Sequence, residues 1–161
     1  MMDQFWQFLP CFYAFAACAP YCILCNIRGK TALYAAIGGA VGWLVYLLFG
    51  FTSNDIFQYF ASAIAITVYS EIFARVQKTP ATVYLIVALL PLVPGGGIYY
   101  TMEYCISGDT ENFLQTGLHT MAITGVLALG ILLVASAVHI TKMIRCHTEK
   151  KQREEGGGSF D

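Results

Sequence analysis

PLVPGGGIYY, residues 91–100, interrupts a stretch that otherwise reads as one apolar crossing of a bilayer, TPATVYLIVALLPLVPGGGIYYTMEY at 79–104. Two prolines and three consecutive glycines are poorly suited to an unbroken helix. Pro91 and Pro94 each remove an N–H and clash with the preceding turn, while Gly95, Gly96 and Gly97 let the backbone turn tightly and be approached closely. Lipid offers no partner to a free backbone group, so a broken helix persists at membrane depth only inside protein or beside a wet cavity. Two readings follow. In one, a half-helix restarts after the glycines and aims its N–H groups and positive dipole end at a solute. In the other, the prolines only kink the helix and the glycines allow close packing.

The rest of the chain says why membrane depth is the right frame. Of 161 residues, 57% are hydrophobic and 12% charged, with a mean hydropathy of +0.61. A soluble domain carries about 25% charged residues, so roughly half the expected charge is missing. The charges cluster in short segments separated by apolar runs of about twenty residues, the length that crosses a bilayer core. The spacing predicts an all-α integral membrane bundle of five transmembrane helices: Phe5–Leu24, Thr31–Phe51, Ile56–Arg75, Pro80–Tyr100 and Gly117–Ile140. The fourth is the broken one. The first has no basic leader and contains Pro10 and Pro20, so it reads as a retained helix rather than a signal peptide.

With five alternating spans, all nine Lys and Arg fall on one side: Arg28, Lys30, Arg75, Lys78, Lys142, Arg145, Lys150, Lys151 and Arg153. Asp3, Asp55, Glu103, Asp109 and Glu111 fall on the other. The positive-inside rule then places the N-terminus outside and the C-terminus in the cytoplasm. Residues 1–144 form one membrane domain, and 145–161, ending in a glycine-rich run, are expected to be a solvated, poorly ordered cytoplasmic tail. The stretch ISGDTENFLQT around 106–116 reads as a short polar outer loop.

Side-chain chemistry is sparse. Cys11, Cys18, Cys22 and Cys25 lie along the first span, but no second pair or nearby His completes a metal site. They read as small packing residues, with no disulfide expected. His119, His139 and His147 form no catalytic spacing, and no phosphate-cradling or nucleophile motif occurs. No enzyme, cofactor or metal is expected. The net charge of −1 carries no message about nucleic acid, no basic aromatic patch suggests it, and no nucleic-acid partner is expected. Glu71, within the third span, is a different matter. An ionisable group there is a functional candidate, either binding a proton or cation as a coupling residue or pairing with Arg75 one turn on.

Gly38 and Gly42 form a small-xxx-small face on the second span; Thr120, Thr124, Gly125, Ala128 and Gly130 form another on the fifth. Such faces let helices approach closely, either within this chain or at a contact with another subunit.

GKTALYAAIGGAVGWLVYLL (29–48), EIFARVQKTPATVYLIVALLPLVPGGGIYYTM (71–102) and ALGILL (128–133) resemble the threonine/serine exporter family. The similarity runs from about Arg28 to His139 and is to a small subunit, a stand-alone form of the C-terminal membrane half of the single-chain exporter. The resemblance implies a two-component secondary exporter of small amino acids or dicarboxylates in the cell inner membrane. A larger subunit with five spans of its own would be the partner, possible homo-oligomers aside. Pro91, Pro94, Gly95, Gly96 and Gly97 match the family motif and are the substrate-binding candidates it implies. The competing expectation is a non-transporting scaffold subunit, which leaves the broken span without a purpose.

Overall fold

The structure, a computed structural model, describes residues 2–51 and 54–156. Among them there are helices and turns but no strand. Six helices follow one another: α1 (Met2–Leu24), α2 (Lys30–Leu48), α3 (Asp55–Gln77), α4 (Ala81–Leu89), α5 (Gly95–Ser107) and α6 (Thr110–Gly156). Single 3-10 turns follow α2 at Phe49–Phe51 and α4 at Leu90–Leu92. The helices are too apolar all round for soluble amphipathic ones, and large apolar side chains stay exposed over the whole surface, Ile72, Val76, Tyr99 and Leu132 among them. Lipid is the solvent that makes such a surface cheap.

Three helices are long and apolar enough to cross a bilayer: Lys30–Leu48, Asp55–Gln77 and Thr110–Ile144. Ala81–Leu92 and Gly95–Ser107 pass the same test as a pair, bent by 53°. In α1, the stretch Leu9–Leu24 is a shorter apolar helix that continues through both Pro10 and Pro20.

Two small-residue surfaces hold the bundle. A Cβ on Gly38 would lie 2.9 Å from a ring carbon of Tyr69, and one on Gly42 would lie 2.6 Å from Ile66 and 3.1 Å from Leu92. Both glycines are buried, so this face of α2 is filled by α3 and α4 of the same chain. Gly39 faces α1, against Cys18. The second surface joins α3 to α6, where a Cβ on Gly130 would lie 2.8 Å from Ala63. Gly125 has open space over its Cα. Of the four glycines considered for a partner contact, three therefore touch neighbours inside the chain.

One core cluster gathers Cys18, Cys22, Ala35, Ala36, Ala74, Tyr84 and Val87, with Ile27 and Ala81 against it. The second gathers Ala63, Ile66, Ala88, Leu92, Ile123 and Leu127. The first cluster draws together the end of α1, the start of α2, the end of α3 and the start of α4. These are the segments that carry Arg28, Lys30, Arg75 and Lys78, so antiparallel packing collects those cations at one end of the bundle.

At the other end the expected polar loop is mostly helix. Gly108 ends α5 with φ +77, a left-handed conformation that glycine adopts without strain. Asp109 then starts α6: its carboxylate accepts from the Asn112 backbone N–H at 3.3 Å and from the Asn112 side-chain amide at 2.7 Å. These bonds from Asn112 hold the Asp109 carboxyl below its ordinary value. The loop shrinks to a tight turn because its sequence caps both helices. α6 then runs 47 residues to Gly156, about 70 Å at 1.5 Å per residue. The charged segment is thus helical through Gly156, while residues 157–161 of the glycine-rich end lie outside the described residues.

Candidate functional site

The interruption between α4 and α5 has a defined path. Pro91 sits inside the 3-10 turn, Val93 is extended (φ −64, ψ 126), and Pro94 (φ −76, ψ 62) precedes the first residue of α5. Three hydrogen bonds stitch it: Val93 N–H to Leu89 O at 3.2 Å, Gly95 N–H to Val93 O at 2.7 Å, and Ile98 N–H to Pro94 O at 3.2 Å. The prolines bring no N–H of their own. The N–H groups of Gly96 and Gly97 find no acceptor among the described residues. They are orphan donors of a helix N-terminus, where backbone dipoles add a partial positive charge.

The glycines differ in their surroundings. Gly95 and Gly96 are exposed, and a Cβ on either would meet nothing within 4 Å. Gly97 presses against Thr120 of α6, so closely that a Cβ would run into the Thr120 hydroxyl oxygen and lie 3.2 Å from its methyl carbon. Thr120 can sit there because its hydroxyl turns back to donate to Thr116 O at 2.7 Å; Thr101 likewise donates to Gly97 O at 2.6 Å. Beside this contact an apolar cleft of about 320 Å³ opens between α5 and α6, walled by Ile98, Thr101, Met102, Gly117, Leu118 and Met121. Its walls are aliphatic and aromatic, Phe113 among them, and its threonine hydroxyls are already satisfied by backbone; the free N–H groups of Gly96 and Gly97 belong to the break just before Ile98 and do not line the cleft. The orphan N–H groups of a helix N-terminus can receive an anion, and the neighbouring cleft offers an apolar surface.

Pro91 has a packing role besides its effect on the backbone, since its ring faces Gly39 of α2. α5 itself packs on α6, and none of its described residues is buried. The helix that follows the break, α5, thus shows most of its surface to whatever surrounds this chain.

Glu71 is held elsewhere. Its Oε2 accepts from Lys142 Nζ at 3.3 Å, with the Glu71 side chain 17% exposed and Lys142 57%. The partner is Lys142, across from α3 to α6, in place of Arg75 on the same helix. The reason is geometric: α3 and α6 pack side by side through Ala63 and Gly130, so that Lys142, about three turns beyond Gly130, reaches Glu71, about two turns beyond Ala63. Glu71 and the break are not brought together. The length of α6 from Thr120 to Lys142 is about 33 Å of helix axis. Among the described residues no group of three His, Cys, Asp or Glu side chains converges as a metal would need. Cys18 and Cys22 are buried and donate weakly to Val87 O and Ala32 O at 3.4 and 3.5 Å; all described cysteines are free.

Sequence reasoning named the motif and Thr120 but not their contact, and it missed Thr101 and Lys142. Thr116, Thr120 and Thr124, four residues apart on one helix face, were the available signal for a polar seam.

An all-helical bundle of several long apolar helices with an apolar surface is compatible with a multi-pass membrane protein by class. The match to known families is specific: residues 10–137 match the family described as threonine/serine exporter, ThrE. The chain belongs to that family, an exporter family rather than an enzyme family. No curated protein and no solved structure matches the chain.

Proposed function

We propose that this chain is the membrane subunit of a two-component secondary exporter for threonine, serine or related small carboxylates in the inner membrane. It crosses the bilayer five times with the N-terminus outside, and its fourth span is the broken unit α4–α5. The solute's carboxylate is received at the N–H groups of Gly96 and Gly97, with Pro91, Pro94 and Gly95 shaping the break. The observation that carries this reading is the pair of orphan donors on a half-helix with no buried residue. Backbone of that kind is stable in a membrane only when other protein covers it or water reaches it. A companion subunit supplies the cover, and alternating access needs the second bundle it brings. Glu71 acts at the opposite end as a coupling group, its charge balanced by Lys142 in the resting chain.

Separate and joint expression of the two chains, followed by solute efflux from loaded vesicles and mild-detergent purification, tests the reading. Joint expression is expected to yield efflux and a co-purifying complex. Full efflux from this chain alone would overturn the two-component reading, and a complex without efflux would favour a scaffold. Glu71→Gln is expected to flatten the pH dependence of efflux; an unchanged profile would leave Glu71 only its tie to α6.

A further inference from the structure

The seam that carries the Glu71–Lys142 pair also carries a groove unrelated to the break. Val68, Ile72 and Val76 lie four residues apart along one face of α3, and with Val138 of α6 they wall a groove of about 390 Å³. It opens on the outside of the bundle: Val68, Ile72 and Val76 are 42%, 54% and 71% exposed. Three charged groups sit at it. Glu71 and Arg75 line it, and Lys142 reaches Glu71 from α6. Glu71 is satisfied by Lys142, whereas Arg75 is exposed and has no ion-pair partner among the described residues. One carboxylate against two cations leaves a net positive charge at an apolar groove on the outside of the bundle.

We propose that this groove binds an anionic phospholipid, its phosphate on the Arg75 guanidinium and one acyl chain along Val68, Ile72, Val76 and Val138. The shape of the demand decides between occupants. A small polar solute would satisfy Arg75 but leave the valine wall against lipid, unused. A neutral lipid would fill the wall but leave the charge uncompensated. An anionic phospholipid meets both, and basic pockets between helices at a membrane surface take such headgroups. The planar guanidinium offers paired donors that match a phosphate's oxygens. The bound lipid lies across α3 and α6 beside their only described ion pair and so ties the two helices together. The site requires no particular solute and no companion subunit.

The test is lipid retention by the full chain, purified in mild detergent from vesicles of phosphatidylcholine and phosphatidylglycerol in equal amounts, then measured by native mass spectrometry. The wild type is expected to retain phosphatidylglycerol over phosphatidylcholine. Arg75→Gln is expected to lower that preference about tenfold, the worth of one charge-assisted phosphate contact, and Arg75→Lys to restore part of it. Glu71→Gln frees Lys142 and is expected to raise the preference, whereas Lys78→Gln, outside the groove, is expected to leave it unchanged. Equal retention of the two lipids by the wild type would overturn the proposal. So would an Arg75→Gln protein with normal helical content and an unaltered preference. Displacement of the lipid by equimolar glycerol phosphate would assign the groove to a soluble phosphate compound and overturn the lipid reading.

Discussion

Gly96 and Gly97 are adjacent and chemically identical, yet the structure gives them opposite surroundings, and substitutions should separate them. A valine at Gly96 points into open space, so Gly96→Val should leave the protein inserted and as heat-stable as the wild type. On the proposed function it should nonetheless abolish efflux, because the side chain would stand where the solute's carboxylate is proposed to approach the N–H groups. At Gly97 any Cβ meets Thr120, and overpacking of this kind costs about 1–3 kcal/mol. Gly97→Ala should therefore lower the unfolding temperature, and adding Thr120→Ala should recover most of the loss. Thermal unfolding in detergent, read beside vesicle efflux, checks both. Equal destabilisation by the two substitutions would mean the glycines share one packing role.

At the level of whole elements, two features bear on stability. α2 is wedged among α1, α3 and α4 by its glycine face, so Gly42→Ile should break the bundle itself, since Ile66 and Leu92 already occupy that space. Loss of monodisperse protein when this chain is expressed alone is the expected result; a well-folded variant that only fails to bind a partner would contradict the internal contact. The start of α6 depends on Asp109 instead. Because its carboxyl titrates below the ordinary value in the folded chain, its stabilising effect is complete above the unfolded pKa. That effect fades as pH falls through the lowered folded value. Asp109→Ala should thus melt earlier than wild type at neutral pH, and the two melting temperatures should converge in strong acid. A gap that persisted there would rule out the carboxylate as its source.

For the molecule as a whole, topology is the property to measure. If the nine basic residues share the cytoplasmic side, a cysteine at Asn112 should label from outside with an impermeant maleimide and one at Gln77 should not, with exposed Cys25 and Cys105 first replaced by serine. The reverse pattern would invert the protein. Local sequence was enough to determine that the chain is helical with apolar helices suited to a membrane, and that the helix is interrupted around Pro91–Gly97. Each of these rests on hydropathy, backbone freedom or missing N–H groups, which act within a few residues. Which side of the bundle each residue faces was decided only by tertiary packing. The spacing of Gly38 and Gly42 suits an internal or an external contact equally; Tyr69, Ile66, Ala88 and Leu92 filled it from within. Glu71 had a cation four residues away and took one 71 residues away, because a helix–helix seam brought Lys142 closer than the helix itself brought Arg75. Thr120 met Gly97 for the same reason. Contacts between distant segments depend on how whole helices settle against each other, and no short window of sequence contains that information.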